Sequence, residues 1–366
     1  MKGERLLSLD LLRGLDMMVL TLGYALVIAA DGVWHFPPAV MRQFAHGWEC
    51  FTFWDIIMPL FIFMCGAAMP FALPKRLAAG GKVFWRHVLA RVALLWFLGG
   101  CVQGNWLSLD PQTFGPFANT LQAIAVGYLV VAATMALRRP ALMVAVPVVL
   151  VAVYSALLAA CGGYGQYDNF AFRCDQAIFK AVLPATNFYV SRPDHVSSAH
   201  CYTWCLTSCM FAAMTFCGYF ATKILQGAGA KGRKAVTLAG CGAALLVVGL
   251  VAEVWIPCIK PIFTLSFTAQ AMGWCALALA TLYALTDILQ FRRGLALPIL
   301  FGQYALVAYM VTHDPFRPAL WTLADTLTCG VTRCASPEVK QLVMAAAVTV
   351  LLPMVLIAWK RIKTRA

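Results

Sequence analysis

Apolar runs of about 20 residues recur along the whole chain, and they constrain the fold more than any other feature. Only helices and closed barrels can satisfy all their backbone hydrogen bonds inside a bilayer. Of the 366 residues, 62% are hydrophobic and 12% are charged, and no polar stretch is long enough to form a separate soluble domain. The sequence therefore predicts an all-α polytopic membrane protein with one domain, residues 1–366.

The apolar runs predict about ten transmembrane helices joined by connectors with Gly and Pro turn signals. These helices cover roughly 6–30, 52–73, 87–108, 117–137, 141–161, 201–225, 235–256, 263–290, 295–314 and 338–359. Two longer segments, 31–51 and 162–200, are rich in aromatic, polar, Gly and Pro residues. We expect these two segments to form ordered loops on the outer face of the membrane.

Positive charge is concentrated at the N-terminus, in every second connector and at the C-terminus. Lys and Arg are enriched in cytoplasmic connectors, so both termini are predicted to be cytoplasmic. The same distribution accounts for the net charge of +13 without a nucleic-acid partner. Short connectors and the lack of a soluble domain favour a multi-pass protein of a bacterial inner membrane.

Ionisable residues form a predicted outer cluster, and such residues in membrane segments mark functional sites by default. His46 and Glu49 precede the second helix, Asp55 lies about one turn inside it, and Lys260 and His313 border later helices. A histidine beside a carboxylate can act as a general base. Simpler interpretations remain open: a surface-loop His46, a Lys260 that extends to the membrane interface, and a His313 that caps a helix end.

A second polar group lies on the first helix, which carries Asp10, Arg13 and Asp16. Asp10 and Arg13 share a helix face and either neutralise each other or border a cavity for a phosphate-bearing cytosolic ligand. Asp16 lies about 15 Å along this helix. The chain has no phosphate-binding loop, dinucleotide fingerprint or metal-ligand spacing, so no metal is predicted. Cys329 and Cys334 could form a disulfide in an oxidising compartment.

Four sequence blocks carry a resemblance to a known family. They are RLLSLDLLRG at residues 5–14, the series His46, Trp48, Thr52, Asp55, Pro59, Phe61, Phe63 and Gly66, IPCIKPIFTLSF at residues 256–267, and GQYALVAY at residues 302–309 followed by His313. In this order they resemble the transmembrane acyltransferase family typified by heparan-α-glucosaminide N-acetyltransferase and its bacterial homologues. The middle of the chain is similar only in hydropathy.

The resemblance implies transfer of an acetyl group from cytosolic acetyl-CoA, as co-substrate, to the amine of a glucosamine-type sugar or glycan across the lipid bilayer. It implies a catalytic His46 with Asp55 as its neighbouring carboxylate, and it also implies a homodimer. It places Asp10, Arg13, Lys260, Ser266, Gln303 and His313 around acetyl-CoA, and we expect Trp48 and Glu49 on the acceptor side.

The chain departs from the family pattern around the expected acceptor pocket. One residue separates His46 from Trp48 where two are expected, Glu49-Cys50 replaces Asn-Gly, and Gln303 replaces an Asn. The acceptor therefore stays open. A transporter or proton-coupled exporter is the main alternative, although no repeat of five helices is apparent. A non-catalytic membrane subunit is a third interpretation.

Overall fold

The computed structural model describes residues 6–185 and 202–365, and within these ranges the secondary structure is helical with no β-strand. Eight of the described helical segments are long and apolar enough to cross a membrane, and a further apolar helix, Thr120–Ala136, is shorter. The prediction of an all-α, multi-pass membrane protein is confirmed. Residues 186–200 of the predicted outer loop lie outside the described residues.

The chain folds into two compact units. Unit 1 contains the described residues from 46 to 281, and unit 2 contains residues 6–45 and 282–365. The helices of unit 1 are α4 (Ile57–Ala78), α5 (Gly81–Gln103), α6 (Thr120–Ala136), α7 (Pro140–Ala160), α8 (Phe170–Val182), α9 (Ser208–Gln226), α10 (Lys231–Ala252) and α11 (Leu265–Tyr283), the last of which ends two residues beyond the unit.

Unit 2 begins with α1 (Leu7–Met18), a π-helical turn named π1 (Val19–Gly23), α2 (Tyr24–Trp34) and α3 (Pro38–Met41). The chain returns to this unit as a second π-helical turn, π2 (Ala284–Ile288), followed by α12 (Ala296–Gln303), α13 (Ala305–Thr312), α14 (Arg317–Thr328) and α15 (Pro337–Arg365). Helix α1 packs mainly on α12, and α2 packs on α15.

Helices α4, α6 and α9 form the core of unit 1. A Cβ atom at Gly66 of α4 would overlap the carbonyl oxygen of Thr215, and one at Gly218 of α9 would overlap that of Phe63. The two backbones are therefore in direct contact, as small residues allow between membrane helices. This packing fixes the position of the segment that precedes α4, where His46 and Asp55 lie.

The helices differ from the predicted ones in three places. The predicted helix at 295–314 is two eight-residue helices because Tyr304 leaves the helical conformation at φ −116° and ψ 29°. The first predicted helix continues beyond residue 30 to Trp34 and contains π1. Helices α8 and α14 were not predicted, since each is short and too polar to stand out by hydropathy.

The possible disulfide between Cys329 and Cys334 is not formed in the structure, where both residues are free thiols.

The contact between α4 and α9 predicts that glycine-to-alanine substitutions within it destabilise the protein, whereas a substitution outside it does not. Gly66→Ala and Gly218→Ala should each lower the free energy of unfolding by about 1–3 kcal/mol, because the added methyl group meets backbone atoms that cannot move aside. The measurement is thermal melting of the purified protein in detergent. Gly240→Ala on α10 is the matched control, since nothing lies within 4 Å of its added Cβ. An equal loss of stability in all three variants would contradict this packing.

Candidate functional site

The segment before α4 brings His46 and Asp55 into contact. A 3-10 turn, Phe53–Ile56, precedes α4, and Asp55 occupies its third position behind Thr52 at the N-cap. His46 Nδ1 lies 2.8 Å from Asp55 Oδ1. We expected Asp55 one turn inside the second helix; it lies instead in this 3-10 turn, because a capping box with Thr52 fixes the turn there.

Asp55 accepts hydrogen bonds or ion-pair contacts at both carboxylate oxygens. Its Oδ1 contacts His46 Nδ1 and also lies 3.2 Å from Lys260 Nζ. Its Oδ2 accepts hydrogen bonds from the backbone N–H of Thr52 at 2.9 Å and from the Thr52 hydroxyl at 2.8 Å. An ionised carboxylate has about four acceptor positions, so all of them are occupied. Asp55 is only 1% exposed, so His46 and not Asp55 is the accessible end of this pair.

Lys260 reaches Asp55 from the loop between α10 and α11. Pro257, near the start of this loop, accepts hydrogen bonds through its carbonyl from the hydroxyls of Thr264 and Ser266, both at 2.9 Å. Phe263 adopts a positive φ of 44°, a strained conformation that non-glycine residues hold only when the surrounding structure requires it. The loop is therefore a closed turn that presents Lys260 in one position.

Neighbouring elements of unit 1 hold this turn in place. Tyr154 of α7 donates a short hydrogen bond from its hydroxyl to the carbonyl of Ile262. The backbone N–H of Thr203 donates to the carbonyl of Pro261 at 3.1 Å. The rings of Phe51 and Phe267 pack 5.6 Å apart and connect the two segments that contribute Asp55 and Lys260. The ion pair is thus built on rigid elements.

Burial changes the chemistry of Lys260. The residue is 5% exposed, and desolvation lowers its pKa to about 8, although the Asp55 carboxylate partly opposes this shift. A lysine that extended to the membrane interface would be exposed, so that interpretation does not describe this residue. Its ammonium group is paired with Asp55, and its predicted contact with acetyl-CoA stays a prediction. We name His46, Thr52, Asp55 and Lys260 the His46 cluster.

His46 is the accessible member of the His46 cluster. Its side chain is 28% exposed, whereas that of Asp55 is 2% exposed. Because an ionised carboxylate only accepts, the Nδ1 atom donates and the Nε2 atom carries the lone pair. Within the described ranges no residue hydrogen-bonds to Nε2. This nitrogen is therefore the atom of the cluster that can accept a proton.

The other predicted residues of unit 1 have diverse surroundings. Trp48 donates from its indole nitrogen to the carbonyl of Tyr164 at 3.1 Å, which joins the segment of His46 to the loop after α7. Glu49 is exposed. Ser266 is fully buried, and its hydroxyl donates to Pro257. The structure thus gives Ser266 a role in shaping the Lys260 loop, while its predicted contact with acetyl-CoA stays a prediction.

The remaining predicted residues belong to unit 2. Arg13 Nη1 lies 4.0 Å from Asp10 Oδ1, a long ion pair on one face of α1. Gln303 ends α12 and is exposed. His313 follows α13, donates from Nδ1 to the carbonyl of Tyr309 at 2.8 Å and stacks on the Tyr309 ring. His313 therefore caps the helix end, the simpler of its two interpretations.

The sequence prediction left two residues without a role: Thr52, a member of the His46 cluster, and Cys50, which lies near it in the sequence. A Thr followed three residues later by an acidic residue, just before an apolar run, is a capping-box signature and could have identified Thr52. Cys50 packs its thiol against Gly47, and burial is the largest of the effects that raise its pKa. No sequence signal marks Cys50, because most cysteines in this chain lie in apolar segments.

No family model matches this chain, and no curated protein matches its sequence. Function is accordingly inferred from the side-chain geometry of the His46 cluster and from the four sequence blocks that resemble the acyltransferase family.

The lowered pKa of Lys260 predicts a pH-dependent contribution to stability. Between pH 8 and the ordinary lysine pKa of 10.5, the unfolded chain binds a proton that the folded chain does not, so stability rises with pH in this window. Relative to Lys260→Met, the wild type should gain up to about 3 kcal/mol across it. Melting temperatures of both proteins across this range measure the effect. A pH-independent difference would show that Lys260 titrates normally.

Proposed function

We propose that this protein is a membrane-embedded acyltransferase that moves an acetyl group from acetyl-CoA to the amine of a glucosamine-type sugar. The observation that carries the proposal is the His46 cluster: a partly exposed imidazole whose Nδ1 is held by a buried carboxylate and whose Nε2 is open. An acceptor amine has to lose a proton as it forms the amide, and an imidazole held in this way is suited to take that proton.

The reaction balances with His46 as the base. The amine nitrogen forms a bond to the acetyl carbon, the C–S bond to CoA breaks, and Nε2 takes the amine proton. That proton then passes to the CoA thiolate, so the products are the amide and the CoA thiol. If the acetyl group is instead carried covalently on His46, the same atom has to react, because Nδ1 is occupied by Asp55.

The charges of the His46 cluster also support the proposal. The Asp55 carboxylate and the Lys260 ammonium neutralise each other, so the neutral imidazole adds no charge to a buried site. When His46 gains a proton, the resulting positive charge lies 2.8 Å from the carboxylate, which stabilises it. Lys260 and Thr52 are thus positioning residues that hold Asp55 ionised and oriented.

The proposal assigns acetyl-CoA to the cytoplasmic side of the membrane and the sugar to the opposite side. The head group of acetyl-CoA is highly charged and cannot enter lipid, whereas its thioester arm is slim enough to extend into a channel. Arg13 on α1 of unit 2 has a side chain 28% exposed, which suits a phosphate-bearing ligand, and the resemblance alone assigns it to acetyl-CoA. Trp48 lies two residues after His46 in the sequence, and its indole nitrogen donates to the backbone carbonyl of Tyr164; an aromatic ring at this position suits stacking on a sugar.

Acetyl transfer by purified protein tests the proposal. Protein in lipid nanodiscs is incubated with acetyl-CoA and a panel of amino sugars, and both free CoA and acetylated sugar are measured. His46→Ala should reduce turnover by about 10²–10⁴-fold through loss of the base. Asp55→Asn should also reduce it strongly, because Nδ1 then loses its charged partner and the correct tautomer. His87→Ala, a histidine of α5 outside the cluster, should retain activity.

Two outcomes would overturn this assignment. If the wild type neither binds acetyl-CoA nor acetylates any sugar, the enzyme proposal fails and flux assays on the transporter alternative follow. If His46→Ala is as active as the wild type, the His46 cluster is not the catalytic site.

A short incubation with labelled acetyl-CoA and no acceptor separates the two routes, since only the covalent route leaves label on His46.

A further inference from the structure

Asp16 is a buried carboxyl group that the proposed reaction does not use. It lies on α1, is 2% exposed, and neither carboxyl oxygen has a hydrogen-bond partner in the described part of the chain. The segment that contains it, Leu7–Trp34, is one of the eight that are long and apolar enough to cross a membrane. A carboxyl group in such a position is either charged without compensation or neutral with a proton on it.

The energetic comparison favours the neutral form. An isolated carboxylate in an apolar interior costs more free energy than a neutral polar group that lacks a partner, because the charge loses its hydration without compensation. Asp55 shows how this chain accommodates a charged carboxylate, with donors on both oxygens. Asp16 has none of these donors.

Charged groups on the packed elements do not compensate Asp16. The elements in contact with α1 and π1 within unit 2 are α2, α12, α13, α15 and π2. Their titratable or charged side chains, with those of α1 itself, are Asp10, Arg13, Tyr24, Asp31, Asp287, Tyr309, Glu338, Lys340, Lys360, Arg361 and Lys363. No hydrogen bond or ion pair joins any of these described side chains to Asp16.

The helix is irregular directly after Asp16. The π1 turn starts at Val19, and the hydroxyl of Thr21 donates to the carbonyl of Met17 at 2.7 Å. Single π-helical turns inside α-helices occur frequently at functional sites. A second polar side chain of α1, Ser8, is also buried with its hydroxyl unpaired. The unpaired polar groups of α1 and the adjoining π1 turn together argue that this helix has a functional role in addition to a structural one.

We propose that Asp16 is a proton-binding site within the membrane, occupied by its proton in the state that the structure describes. The ligand is a proton and not a metal cation, because a cation requires several ligands and the described residues include no group of three or more His, Cys, Asp or Glu side chains that could hold one. This site lies in unit 2, apart in sequence from the His46 cluster, and its existence does not depend on acyl transfer.

Infrared spectroscopy of the full-length protein in lipid nanodiscs tests this site. At neutral pH the wild type should show the C=O stretch of a protonated carboxyl group, with a downshift in D₂O as the proton exchanges. Asp16→Asn should lose this band and keep the wild-type melting temperature, because the neutral amide resembles the neutral acid in shape. Asp31→Asn is the matched control on the same segment, and it should retain the band, since Asp31 accepts a hydrogen bond from the Phe36 N–H.

Identical wild-type and Asp16→Asn spectra in this region would overturn the proposal, and so would loss of the band on addition of NaCl or KCl at constant pH. If Asp16→Asn fails to fold, the wild type is treated with dicyclohexylcarbodiimide, a lipid-soluble reagent for protonated carboxyl groups. Mass spectrometry should then find the adduct on Asp16, with less at higher pH. Adducts confined to other carboxylates would reject the site.

Discussion

A buried carboxylate is stable only when hydrogen-bond donors surround it, and the arrangement of unit 1 around Asp55 satisfies this requirement. The donors come from the segment before α4 and from the loop before α11, which are far apart in the sequence. The close contact of α4 with α9 and the strained turn at Phe263 bring these segments together. The orientation of His46 follows from Asp55, so the chemistry that this site can perform depends on one satisfied charge.

Much of this architecture could be predicted from the sequence because a bilayer allows few solutions. Apolar runs predicted the helices. Ionisable residues within or next to these runs indicated a functional site that includes His46, Asp55 and Lys260. The pairing of Lys260 with Asp55 could not be predicted, because it depends on which loops meet after folding. The capping role of Thr52 was predictable in principle, since a capping box is a local pattern.

The irregular features of unit 2 escaped prediction for a different reason. Hydropathy measures how apolar a segment is, and inserting one residue into a helical turn leaves that average unchanged. Neither π1 nor π2 therefore has a signature in the sequence, and the interruption at Tyr304 is equally hidden in an apolar run. For His313, the residue type alone suggested a catalytic group. In the structure its ring nitrogen donates to the carbonyl of Tyr309 and caps the end of the helix.

The break in the helix at Tyr304 restricts what can surround this part of the chain. Each of α12 and α13 has eight residues and extends about 12 Å, less than half of a hydrocarbon core of about 30 Å. At such a junction the first N–H groups of α13 lack helical partners, and acyl chains offer none. Wherever this junction lies at membrane depth, these N–H groups have to face protein acceptors or trapped water, so lipid cannot surround this part of the chain on every side.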